Sequence, residues 1–551
     1  MRALWIAAFT CSAFAQTPPD APPQAGDGVI VATVVNTRGE PLSGAWVSLQ
    51  GDIVAAPTRK AVRHAAADAA GRARFRALPN GYYSFAVRMA GHEFQSQTQS
   101  VNLQGEHAEA EVRLVLGRKP VLTGRVLDPA GRPLERAQIK LLRRSTRDGV
   151  AEVKLAGATM TDDRGVYRTT LREPGRYWLM VSHSEQAFPR GSAPLLTGVT
   201  FYPNAPDLTS ATPLDLDFDQ PERELDIPML SAPATSLRMA VASGPSNAPC
   251  GGCRYALRRV EGSLEYDIVS GHTGRQPNPF EYGGIPTGAY RVYVADQGMH
   301  QGWWGVGETT VVEGRQTEGA IATQPPIAIS GRLVFEGEPQ QVQDLPPELP
   351  KTIQVQLNRE RSESLFDGMW RGQDTVELEP DVREFHFDPM PPAIVQPHVW
   401  LRGANSYIAS IKRDGRPLPS ASLDLMQPGP WDNLEITVRF DPAQVRIEIE
   451  GELPKLTAQP PPIYTLLLEP DLTSNPFGRR QTVRCGGGPC GVSPLAPGRY
   501  TVLAVPGQIR SSRDHPDLQD EQTRQKLGPW LETVTFTPGE NPVLKVTPAP
   551  E

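Results

Sequence analysis

The chain is poor in the residues and patterns that carry chemistry. Its 551 residues include nine histidines, all standing singly, and five cysteines. No His-Glu-x-x-His or His-x-x-Glu occurs, which removes the common metallopeptidase signatures, and there is no Gly-x-Ser-x-Gly elbow or phosphate-binding loop. His92 and His272 lie in turn-like sequence and read as surface residues. Carboxylates are plentiful, but no pattern selects two of them as an acid–base pair. No catalytic residue, cofactor or metal ligand is therefore assigned. A basic surplus is missing too: 55 Lys and Arg against 62 Asp and Glu give a net charge of −7, mixed in sign. That argues against a phosphate-tracking surface and a nucleic-acid partner. The pairs Arg143-Arg144 and Arg258-Arg259 read as solvated strand edges, where charge discourages edge pairing.

Long apolar runs are lacking as well. The longest opens the chain, with Arg2, an apolar stretch from Ala3 to Phe9, and Ala13-Phe14-Ala15 before Gln16. This reads as a secretory signal peptide over residues 1–15, too short for the ~20 residues of a membrane helix. Cys11 follows Ala-Phe-Thr, a poor lipobox, so a lipid anchor is not expected. The expected mature chain starts at Gln16, has no membrane span, and is periplasmic or secreted. Residues 16–27 form a proline-rich linker.

What the chain does have is 56 prolines, 50 glycines and short alternating strands, with only 7% aromatics. This suits many turns and modest cores. The stretch Val121 to Val181 holds the full grammar. Val126, then Ala137, Ile139 and Leu141, alternate with polar neighbours, the period-2 signature of half-buried strands. Pro129 to Pro133 breaks one pair of strands and Asp162-Asp163-Arg164-Gly165 breaks the next. An Asp opening a turn and a Gly three residues on is good turn chemistry, because Asp bonds back to the backbone and Gly accepts positive φ. Pro174-Gly175-Arg176-Tyr177 then leads into a strand with one apolar face.

The grammar repeats. Val34 to Leu49 matches Val126 to Leu141 position by position, and Asp68 to Gly71 matches the second turn. A Gly-x-Tyr close occurs at Gly81/Tyr83, Gly175/Tyr177, Gly288/Tyr290 and Gly498/Tyr500. The tyrosines are spaced by 94, 113 and 210 residues, and the last gap has room for a degenerate copy. The expected fold is all-β, a linear array of about five Ig-like or transthyretin-like β-sandwiches. The expected modules span 28–118, 119–232, 233–326, 327–441 and 442–551. All four tyrosines read as structural corner residues whose hydroxyl ties back to backbone. Within the second module, Gly198 to Asn204 reads as extended loop; in the fifth, Asp514 to Trp530 is the best helix candidate, with an Asp cap.

The first two copies resemble carboxypeptidase regulatory-like domains, also described as transthyretin-like or prealbumin-like. The resemblance rests on the Gly-x-Val or Val-Val opening, the Gly-x-Pro-Leu turn, the Asp-x-x-Gly turn and the Pro-x-Gly-x-Tyr close. It covers about a third of the chain well. The segment Tyr407 to Phe440 resembles the later part of long secreted bacterial proteins that string such domains together. The resemblance implies a seven-stranded sandwich without catalytic residues, usually accompanying a peptidase or an outer-membrane receptor. Neither companion is visible here.

Four cysteines remain once the signal is removed, an even number in an exported chain. Cys250 and Cys253, and Cys485 and Cys490, read as two local disulfides, each pinning a Gly-rich loop. A four-thiolate zinc site and a redox-active pair stay open as alternatives. For binding, Trp303-Trp304 in a glycine-flanked segment is the candidate ligand surface, because one of two adjacent strand residues must point away from the core. The competing reading is an outer face covered by the next module. The expected function is a non-catalytic envelope or secreted scaffold or binding protein, with a protein or polysaccharide partner. Carbohydrate binding, or hydrolysis on an unrecognised sandwich, are the other readings.

Overall fold

The computed structural model describes residues 26–53, 60–94, 100–103, 105, 107–147, 150–185, 195–273, 278–298, 302–338, 352–362, 366, 374–427, 429–450, 464–485, 490–506, 518, 521–540 and 542–549. The expected signal peptide and nearly all of the expected proline-rich linker lie outside the described residues, as does the acidic, proline-rich stretch 342–350. The chain is all-β, an array of β-sandwiches. No helix among the described residues is long and apolar enough to cross a membrane.

One arrangement of strands recurs five times. In each case an opening strand lies parallel to the strand that closes the same unit. Gly28–Val35 lies beside Glu109–Arg118, and Val121–Leu127 beside the short strands Arg223–Glu224 and Ile227–Pro228. Ser236–Ser243 lies beside Gln316–Ala322, Ile327–Glu336 beside Trp431–Arg439, and Ala443–Ile449 beside Val543–Val546. A parallel pair cannot be joined by a hairpin, so the intervening chain must cross over, and here it builds the second sheet on the way. The centre of that sheet is always one antiparallel pair. Trp46–Ile53 pairs Gly81–Arg88, Gln138–Arg147 pairs Gly175–Glu185, and Cys253–Glu261 pairs Gly288–Asp296. Ile353–Ser362 pairs Ala393–Leu401, and Tyr464–Pro470 pairs Gly498–Pro506.

The alternation read from sequence is the alternation of burial. Along Gly28–Val35 every second residue is buried, with Ile30, Ala32 and Val34 fully so. Two opening strands carry a glycine for a different reason. A Cβ on Gly124 would lie 1.9 Å from the carbonyl oxygen of Leu225, and one on Gly331 would lie 2.2 Å from that of Leu434. The closing strand's backbone occupies that space.

Four turns share one construction. Asn36, Asp68, Asp128 and Asp162 each accept, on Oδ1, the N–H groups two and four residues ahead, at 2.8–3.0 Å. The glycine three residues on then donates to the same residue's carbonyl at 2.9–3.0 Å. Bonds to its backbone hold the carboxyls of Asp68 and Asp128 below the usual range, Arg72 and Arg132 contributing most.

Three expectations are revised. Gly198 to Asn204 is not simply loop, since Leu195–Phe201 is a strand paired with Gly175–Glu185. Arg143-Arg144 and Arg258-Arg259 are not on solvated edges: both strands are central, and pairs of charge or aromatic faces hold the arginines. Arg143 meets Glu173, Arg258 meets Asp267, Arg259 meets Glu261, and Arg144 lies 4.5 Å over the Trp178 ring. The helix spans Glu521–Leu527 followed by a 3₁₀ turn, Gly528–Trp530; its expected Asp cap lies outside the described residues.

Candidate functional site

The four Gly-x-Tyr motifs all form the same corner. The hydroxyls of Tyr83, Tyr177, Tyr290 and Tyr500 donate to the carbonyls of Pro79, Glu173, Pro286 and Ala496, each four residues earlier, at 2.6–2.9 Å. All four rings are among the largest fully buried side chains, and burial raises each hydroxyl's pKa, keeping it a donor. Gly175, Gly288 and Gly498 take φ of 146°, 144° and 138°, open to glycine but strained for other residues, whereas Gly81 needs no positive φ. The fourth unit has Ala393-Ile394-Val395 at the same point, and buried Val395 fills the tyrosine's place without a hydroxyl.

Cys250 is joined to Cys253 and Cys485 to Cys490. The first pair is buried at one end of the third unit, and the 486–489 loop of the second lies outside the described residues.

Trp304 does not present its indole. It is 3% exposed and meets the ring of Phe366 edge to face at 6.5 Å, within a small cluster that includes Tyr293, Ala295, Ile327 and Met426. Ile327, Phe366 and Met426 of the following unit pack on Trp304 and Val306 at one end of the strand, and Trp303 is half-buried. The aromatic residues that do reach solvent were not singled out from sequence. Trp46 is 48% exposed, Tyr82 58% and Trp400 57%. Trp46 stacks on His64 at 5.8 Å, and His64 is hydrogen-bonded to Ser48 at 2.9 Å. The only sequence signal was position: Trp46 and Tyr82 fall on the polar phase of strands whose other phase is apolar.

Each unit is fastened to the next by specific side chains. Between the first and second, Asp219 accepts the N–H of Thr37 at 3.1 Å and of Arg118 at 2.8 Å, and also the Thr37 hydroxyl. Arg38 donates back to the Asp219 carbonyl at 3.0 Å. Phe218 covers Gly117 so closely that a Cβ there would lie 2.6 Å from its ring. The second and third share one hydrophobic core, in which Trp178, Met180 and Phe201 meet Leu257, Tyr266 and Ile268. Phe201 and Tyr266 stand edge to face at 5.5 Å, and Arg259 donates to the Pro206 carbonyl at 2.9 Å. Lys140 reaches the Asp267 carbonyl at 3.4 Å, and burial lowers its pKa. Trp304 and Phe366 join the third to the fourth. Between fourth and fifth, Phe477 packs on the fourth core, Ala421 N–H donates to Pro476 at 3.1 Å, and Arg479 binds His398 and the Pro397 carbonyl.

These features define a class: tandem Greek-key-like sandwiches with corner tyrosines and interlocked joints. Residues 29–115 and 121–190 match the carboxypeptidase regulatory-like domain family. The chain is thus a β-sandwich repeat protein carrying two carboxypeptidase regulatory-like domains. No curated protein matches it. Similar solved structures include the shaft pilin SpaA of Lactobacillus rhamnosus GG, at 14% identity and a TM-score of 0.20, covering 37% of this chain and 98% of that one. The major pilin BcpA of Bacillus cereus gives 12% identity and 0.17, covering 54% and 99%. The minor pilin GBS52 of Streptococcus agalactiae gives 14% and 0.21, covering 37% and 97%.

Proposed function

We propose that the chain is a non-catalytic, exported scaffold that holds binding surfaces at fixed spacing in the cell envelope. The observation that supports this reading is the set of four joints, each built from side chains of both neighbours. Flexible linkers would suffice to tether independent domains; specific interlocks fix distance and orientation as well. The two local disulfides fit an exported chain. The partner is an envelope protein or a polysaccharide, contacted by more than one unit, so that weak contacts add through effective concentration.

The test is paired. Spin labels on the first and fifth units of the whole chain should give a narrow distance distribution, and turnover of peptides, esters and glycans should stay at background. A broad distribution, or hydrolysis abolished by one point mutation, sinks the proposal.

A second reading, carbohydrate binding, is favoured by the outer face of the first unit. Trp46, Ser48, Gln50 and Asp52 lie in register with Arg88, Ala86, Ser84 and Tyr82 on the neighbouring strand. An exposed indole stacked on an imidazole, flanked by hydroxyl and amide groups, suits a sugar face. Glycan-array binding lost in Trp46→Ala and retained in Trp303→Ala would establish it; no glycan binding, or loss in neither, would remove it.

A further inference from the structure

We propose that Cys250, Cys253 and Asp296 form a binding site for a thiophilic divalent metal ion, zinc above all, that the disulfide closes and reduction opens. Both sulfurs and a carboxylate oxygen of Asp296 lie within 4.8 Å of one another, and all three residues are buried. The juxtaposition is built into the sheet, because Asp296 is the cross-strand partner of Cys253 in the central pair of the third unit.

A carboxylate in this position calls for an explanation. Asp296 is 2% exposed, and among the described residues no Lys, Arg or His pairs with it. Its oxygens take hydrogen bonds from the Ser243 hydroxyl at 2.5 Å and the Gly298 N–H at 2.7 Å. Ser243 is in turn bonded to Thr323 at 2.7 Å, so the carboxylate is held in one orientation by a second layer. Buried charges in proteins are paired or coordinate metals. A carboxylate beside a disulfide gains nothing from the neutral sulfurs, and beside two thiols it opposes their ionisation. A divalent cation reverses that: it stabilises both thiolates and the carboxylate together.

The rest of the site has the rigidity a metal needs. The spacing Cys-x-x-Cys is that of zinc sites, and the two Cα atoms are 5.8 Å apart. The Cys253 N–H donates to Thr273 Oγ1 at 2.9 Å, and Asn278 donates to the Cys250 carbonyl at 3.2 Å. The loop between the cysteines presses on Gly298, since a Cβ on Gly252 would lie 2.9 Å from the Gly298 Cα. Three protein ligands leave the fourth tetrahedral position to a water or an incoming ligand. Opening balances simply. A dithiol reductant supplies two electrons and two protons, leaves as its own disulfide, and yields two thiols; the metal then displaces the two thiol protons.

The second disulfide is the internal control, because among the described residues no such carboxylate or imidazole accompanies Cys485 and Cys490. The test uses the full chain with Cys11→Ser, Cys485→Ser and Cys490→Ser, leaving Cys250 and Cys253 as its cysteines. After phosphine reduction under argon, Co²⁺ titration should give a thiolate charge-transfer band that saturates at one equivalent and is displaced by Zn²⁺. The oxidised protein should give none. Asp296→Asn, which removes a ligand charge, should weaken Zn²⁺ binding by more than the roughly 10- to 100-fold that loss of a merely supporting group costs. X-ray absorption at the zinc edge gives an answer independent of that variant: a shell of sulfur plus oxygen is expected. Absence of the band, an all-sulfur shell bridging two chains, or unchanged affinity in a folded Asp296→Asn protein would overturn the proposal.

Discussion

Asp219 and Thr37 are 182 residues apart in sequence, yet the N–H of Thr37 lies 3.1 Å from the Asp219 carboxylate. Asp219 sits at φ 58° on the second unit and closes the joint to the first. Asp219→Ala should therefore act on the joint rather than on either core. The expected outcome is amide exchange at Thr37 and Arg118 faster by at least about tenfold, roughly the 1.4 kcal/mol of one lost charged acceptor. Exchange within Gly28–Val35 should not change. Protection lost throughout the first unit would mean that the joint is part of its folding.

The corner tyrosines offer a second test. Tyr290→Phe removes a 2.6 Å bond to the Pro286 carbonyl and leaves a ring of nearly equal shape. The cost should be about 1–3 kcal/mol, because the carbonyl is left without its partner. Tyr82→Phe, on the exposed neighbour of a corner tyrosine, should cost nothing measurable. Chemical denaturation of the two variants separates them.

Acid should loosen turns and ion pairs before cores. The carboxyls of Asp68 and Asp128 are held down by backbone N–H groups, Asp471 by Arg499, and Glu435 by Lys412 and Arg332. A carboxyl depressed in the folded state contributes stability that is present above its unfolded pKa and lost as pH falls through the folded one. The loss should thus begin below about pH 5 and grow as pH falls further. Asp128→Asn should flatten this response in the second unit, measured as melting temperature against pH. Stability falling between pH 7 and 5 would point to other groups.

Gly124→Ala tests the parallel closure of the second unit. The new methyl would lie 1.9 Å from the Leu225 carbonyl oxygen and 2.5 Å from its carbonyl carbon, backbone atoms that no side-chain rotation can move aside. The closing strands Arg223–Glu224 and Ile227–Pro228 should detach, with proteolysis near residue 225 and a loss of stability of about 2 kcal/mol or more. Gly131→Ala, whose Cβ would meet nothing, should show only the strain of its φ of 80°.

Much of this protein is local and therefore readable from its residues. Alternation along strands decides which face is buried, Asx and Gly place the turns, and Gly-x-Tyr marks the corner, because each depends on neighbours within a few residues. The disulfide partners are equally local. The joints are not: Asp219 finds Thr37, and Trp304 finds Phe366, only after separate sheets have formed and met. For the same reason the sequence leaves open whether one of Trp303-Trp304 is a ligand surface or is covered by the next module, and places Arg258-Arg259 at an edge; the following unit packs on Trp304, and a central strand holds the arginines. The position of Asp296 beside Cys250 and Cys253 belongs with these. Strand register across 43 residues sets it, and no spacing in the sequence announces a pairing that only the folded sheet creates.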